Sequence, residues 1–154
     1  MKKAFLFLTV LAVLSGVLPP SLQAEALARV LPGRWMLYAG GGAETWDFHE
    51  DGTCVSAYTD VEGSEHSETH TWRVEAATEE DLKTLWAQPQ VVLVIDGGER
   101  LGLHLTWAHI RETALIVAGG WITEEERART APLPLCISLT FGEGGGGYVR
   151  MKDQ

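Results

Sequence analysis

Positive charge is in short supply in this chain, with 12 Lys and Arg against 21 Asp and Glu. That deficit argues against nucleic acid as a partner, because phosphates would be repelled. Cysteine is scarce too: Cys54 and Cys136 are the only two, too few for a scaffold stapled by several disulfides. The one long apolar run is Ala4 to Leu18, short for a comfortable bilayer span. No internal repeat is present. Nucleophile and phosphate-loop signatures are also missing, since there is no Gly-x-Ser-x-Gly and no glycine run ends in Lys-Ser or Lys-Thr. The acidic cluster Glu79-Glu80-Asp81 falls at a helix start, where carboxylates complement the dipole. An enzyme is therefore not expected, and neither is a cofactor.

What is present at the start of the chain is an export signal. Lys2 and Lys3 precede the apolar run, Pro19, Pro20 and Ser21 break it, and small residues suitable for cleavage follow. The expected signal peptide is 1–24, cut after Ala24 with Ala26 as the alternative, and 25–154 is one domain. No cysteine follows the run, so a lipid anchor is not expected. Removing Lys2 and Lys3 leaves ten basic residues against all 21 acidic ones, a formal charge of −11. A mature protein of this kind is periplasmic or secreted, has no membrane span after signal cleavage, and favours a cationic partner over an anionic one. In an oxidising compartment Cys54 and Cys136 are expected to pair, which would stabilise by about 2–4 kcal/mol. Cys54 shares its strand parity with Ser56 and Tyr58, and Cys136 with Ser138 and Thr140, the less apolar face in each case.

Period-two alternation predicts strands at Arg34 to Tyr38, Glu44 to His49, Thr53 to Thr59, His66 to Glu75, Val91 to Asp96, Arg100 to Trp107, Thr113 to Ala118, Leu135 to Phe141 and Tyr148 to Lys152. Asp51-Gly52 and Gly97-Gly98 are tight hairpin signals, while Gly40 to Gly42 and Gly144 to Gly147 suit looser connections. Short helices are predicted over Glu79 to Ala87, where Thr78 and Asp81 resemble a capping box, and over Thr123 to Arg129. The fold class is all-β: a small antiparallel up-and-down β-barrel of about eight strands with one or two short helices, or alternatively a two-sheet β-sandwich.

Four stretches, "LPGRWMLYAG", "TWDFHEDGTCVSAY", "HTWRVEA" and "YVRMKD", come in an order that resembles the bacterial lipocalin-like domains of the calycin group. The resemblance covers most of 31–152. It implies that Gly33 and Trp35 form the glycine-x-tryptophan of the first strand, that Trp35 closes the barrel floor, and that Arg150 packs over its indole. The chain departs from the family pattern in its helical insert at Thr123 to Arg129 and in lacking a Thr-Asp-Tyr run.

The inferred inward parity gathers Trp46, Phe48, Trp72, Leu103, Leu105 and Trp107 as candidate ligand-binding residues. The same side chains would serve equally to fill a narrow eight-stranded barrel. Small residues at Ala57 and Gly102 leave room only if they face inward. His66, Glu68 and His70 share a strand face with Trp72 and would offer two imidazoles and a carboxylate to zinc or iron, but a polar strand end near solvent explains them without a metal. The expected function is non-catalytic binding of a small hydrophobic ligand. The alternative is an envelope protein-binding module, of inhibitor or immunity type, acting through an acidic rim and glycine-rich loops.

Overall fold

A computed structural model describes residues 18–37, 44–106 and 136–152, together with residues 8 and 129. Eight strands run in chain order: β1 (Gly33–Leu37), β2 (Glu44–Phe48), β3 (Thr53–Thr59), β4 (Glu65–Ala76), β5 (Val91–Ile95), β6 (Glu99–Thr106), β7 (Cys136–Phe141) and β8 (Gly144–Arg150). Each pairs antiparallel with its chain neighbours, and β8 returns to β1 to close the barrel. No edge is left for a two-sheet sandwich, so the barrel is the architecture. Helices α1 (Pro20–Val30) and α2 (Glu79–Thr84) accompany the strands among the described residues. Trp107, the strand at Thr113 to Ala118, all of the Thr123 to Arg129 helix but its last residue, and Gly40 to Gly42 lie outside the described residues.

Closure follows from alternation. Trp35 registers with Trp46 on one side and with Arg150 on the other, so side chains of one parity all point inward. β5, VVLVI, is buried on both faces. Val91, Leu93 and Ile95 face the interior, while Val92 and Val94 point outward beneath the 77–90 connection. That connection is held down at three places. Asp81 pairs with Arg100, the Trp86 amide donates to the Phe141 carbonyl, and Pro89 lies over Gly102, where a Cβ would come within 2.9 Å of its ring. Gly102 therefore faces outward, and it is small because the connection crosses it. Ala57 also takes the outward parity, opposite Thr45 and Ser67.

The capping box at α2 is complete: Thr78 accepts from the Asp81 amide and Asp81 accepts from the Thr78 amide. α1 begins at Pro20, whose fixed φ suits a first helical position. Its buried residues Gln23, Ala24, Leu27 and Val30 recur at helical spacing and lie against the barrel end near β4 and β5. The run Gly144 to Gly147, expected as a loose connection, is strand, because the ladder of β7 continues through Leu139↔Gly146 to Phe141↔Gly144. Glycine has no side chain to show a parity, so alternation did not reveal these positions.

Cys54 and Cys136 are not bonded to one another, contrary to the expected disulfide. Cys54 on β3 points into the core beside Phe48. Cys136 on β7 points outward, in a separate cluster with Met36, Val149 and Met151. The two strands are not neighbours in the barrel, and the side chains leave opposite faces of its wall, so no bridge can span them.

Candidate functional site in the barrel mouth

One end of the barrel is sealed. Trp35 is fully buried and its indole N–H donates to the Leu31 carbonyl at 2.8 Å. The Arg150 guanidinium lies 5.6 Å from the ring centroid and donates to the carbonyls of Val30 and Pro32, tying α1 to the last strand. Gly33 has φ +133°, and a Cβ there would meet Arg150 Nη2 at 3.0 Å, so glycine is needed both for the backbone and for the space. Above this floor the interior is filled. Phe48 and Leu103 are core, and Trp72 packs edge-on against Phe48 while its N–H donates to the carbonyls of His49 and Thr53. Leu105 and Leu103 lie low in the barrel and border a cavity of about 280 Å3 beside Gln23 and Leu27 of α1.

Of the expected ligand-binding set, Trp46 reaches open space toward the other end, where it lines a cavity of about 430 Å3 with Leu37, Glu44, Ser56 and Tyr58. Phe48 stacks beneath Trp46 at 5.7 Å and separates this cavity from the core. Glu44 faces inward and accepts from the Tyr148 hydroxyl at 2.7 Å and from the Trp46 indole at 3.2 Å. Burial and the Glu44 carboxylate together hold the Tyr148 hydroxyl well above its usual range. The small inward residues that make room here are Ser56 and Gly146. A Cβ on Gly146 would press on Leu37 and on the Tyr148 ring.

His66, Glu68 and His70 do share the inward face of β4, opposite Tyr58, Ser56 and Cys54 respectively. They do not converge on a common point. His66 stacks on Tyr58 and pairs with Asp60 at 2.8 Å. His70 places Nδ1 2.6 Å from Asp96 Oδ2 and Nε2 3.2 Å from Ser56 Oγ, with Glu68 3.6 Å from the same Nε2. No group of three metal-ligating side chains occurs among the described residues.

Two residues here had no signal in the sequence, Ser56 and Asp96. Ser56 read as part of a polar strand face, and Asp96 as the end of an apolar strand. The link between them comes from β4, which pairs with β3 up to Thr71 and with β5 from Trp72 onward. The β5–β6 turn is thereby delivered beside His70. Asp96 and Gly97 both have positive φ, and the Gly98 amide donates to the Ile95 carbonyl, as in a primed hairpin turn. The Thr71 amide donates to Asp96 Oδ1. The His70 contact first, then the Thr71 amide, holds the Asp96 carboxyl below its usual range. Compared with protein families, with curated proteins and with solved structures, the chain matches none.

Proposed function

We propose that this is an exported, lipocalin-like binding protein that takes a small apolar molecule into the barrel mouth. The observation that carries the reading is the division of the interior: a floor sealed by Trp35, Arg150 and α1, and at the other end a cavity of about 430 Å3 lined by Trp46, Leu37 and Tyr58. An aromatic wall with a few fixed polar groups is the usual form of a small-molecule site. The closed eight-stranded topology and the Gly33, Trp35 and Arg150 arrangement support the lipocalin-like kinship. Glu44 and Glu68 at the mouth select against anions, so the ligand is neutral or cationic. Export after Ala24 would remove the first turn of α1 and leave Leu27, Val30 and Leu31 to seal the floor.

Titration with N-phenyl-1-naphthylamine, a neutral apolar fluorophore, tests the reading. Saturable one-to-one binding is expected, with a blue-shifted emission, and it should be lost in Ser56→Phe, which fills the cavity. Absence of saturable binding by the folded protein would overturn it.

A second reading, a protein-binding envelope module, draws on a different surface. Leu82, Trp86 and Phe141 are exposed at the α2 connection, beside Glu79, Glu80 and Glu143. Exposed aromatics rimmed by charge are common at protein interfaces.

A further inference from the structure

The geometry points to a hydrolytic activity in this mouth: Ser56, His70 and Asp96 form a serine–histidine–aspartate relay that hydrolyses small uncharged carboxylic esters. The inference rests on the mouth being the ligand site, and the two fail separately, as the experiment below makes explicit.

The roles follow from which nitrogen faces which oxygen. Asp96 Oδ2 stands 2.6 Å from Nδ1, so Nδ1 carries the proton and donates it. Nε2 is then the acceptor, 3.2 Å from the Ser56 hydroxyl, within reach for a general base. Ser56 and His70 are diagonal neighbours on the inward faces of β3 and β4, since Ser56 registers with Glu68 and Cys54 with His70. Asp96 is fixed on its second oxygen by the Thr71 amide at 2.9 Å. The turn does not need His70 to hold it, because its own backbone bonds, Asp96 amide to Thr71 carbonyl and Gly98 amide to Ile95 carbonyl, already do so. Asp96 takes left-handed backbone at φ +50° as the first central residue of that primed turn, a position that suits aspartate, so the carboxylate is placed by the turn itself. Ser56 also lines the apolar cavity, so nucleophile and substrate space coincide.

In the reaction Ser56 Oγ attacks the ester carbonyl carbon while its proton passes to His70 Nε2. The imidazolium forms beside the carboxylates of Asp96 and Glu68. Tyr58, two positions along the same strand, lines the same cavity with its ring stacked on His66. Collapse breaks the bond to the alcohol oxygen, which leaves with the proton from Nε2, and the acyl group stays on Ser56. Water then gives a proton to Nε2 and attacks the acyl carbon. The acid departs as Ser56 takes its proton back. The sum is ester plus water to alcohol plus acid. At neutral pH the acid product is an anion, which Glu44 and Glu68 repel from the mouth.

The experiment uses the purified full chain with p-nitrophenyl butyrate and, separately, with an uncharged alkyl fluorophosphonate. The expected results are a stoichiometric burst of nitrophenolate followed by turnover faster than that of an equal concentration of free imidazole, and a single phosphonyl adduct located at Ser56 by mass spectrometry. Ser56→Ala should abolish the adduct and lower hydrolysis on the order of 10³-fold or more, and Asp96→Asn, which keeps the nucleophile and the cavity, about 10²- to 10⁴-fold. Folded wild type that gains no adduct and hydrolyses no faster than imidazole would overturn the proposal, without need of any variant. Equal hydrolysis by folded Ser56→Ala would overturn it too. Saturable naphthylamine binding alongside either result leaves the binding reading intact and removes only the relay.

Discussion

Trp35 buries its whole side chain at the point where β1, β8 and the end of α1 meet. Truncation to Ala should cost about 3–5 kcal/mol, the range for a core aromatic. Arg150→Ala removes two charge-assisted hydrogen bonds, to Val30 and Pro32, and should cost about 2 kcal/mol. Because the guanidinium lies over the indole, the double mutant in denaturant melts should lose at least ~0.5 kcal/mol less than the sum of the singles. Strict additivity would mean that the cation and ring do not interact in solution. Gly33, Trp35 and Arg150 were legible only through the resemblance carried by the order of four short stretches, from "LPGRWMLYAG" to "YVRMKD". Ser56 and Asp96 were not. A serine on a polar parity and an aspartate before a glycine are ordinary in strands and turns, and what brings both to His70 is the register of β4 with two different partners.

Among elements, the strands with alternating side chains were readable and the glycine strand was not. β8 has four glycines in its first four positions, so its pairing is decided by the short β7–β8 turn and not by any hydrophobic pattern. The α2 capping box was readable from Thr78 and Asp81, and Arg100 adds to it by donating to both Asp81 oxygens at 2.7 Å. Helix α1 escaped notice because its residues sit where a cleavage site was expected, although Gln23, Ala24, Leu27 and Val30 do have helical spacing. The disulfide expectation rested on number and compartment alone and failed on geometry: β3 turns its polar parity inward and β7 turns its polar parity outward, so one thiol is interior and the other exterior. Thiol titration of the protein without reductant should therefore give two reactive groups per chain in denaturant and essentially none in the folded state, where both are buried. One chain with no titratable thiol in denaturant would show that the bridge forms after all.

For the whole molecule, the buried titratable groups set how stability depends on pH. On the acid side, Asp81 is held down to about 2, mainly by the Arg100 guanidinium. A carboxyl depressed in the folded state contributes stability above its ordinary value of 3.8, and that contribution is lost as pH falls toward 2. Glu75, lowered first by Arg100 and then by Arg73, works in the same direction. His104 is different in kind but not in sign. Burial on the outer face of β6 lowers its pKa below the ordinary 6.5, and its Nε2 has no hydrogen-bond partner among the described residues. The unfolded chain thus takes up a proton on His104 first, and stability begins to fall as pH drops below about 6.5, before the carboxylates contribute. On the alkaline side, burial pushes the thiols of Cys54 and Cys136 up from 9.0 to about 12. A thiol raised in the folded state contributes stability below 9.0 that is lost as pH rises from there toward 12. Stability measured by urea unfolding from pH 3 to pH 10 should accordingly be greatest between about pH 7 and 8.5, with a two-stage acid limb. His104→Gln should remove the upper stage, which sets in as pH drops below about 6.5, and leave the lower stage unchanged. An unaltered acid limb in that variant would mean that His104 is charged in the folded protein and that its burial on β6 is incomplete.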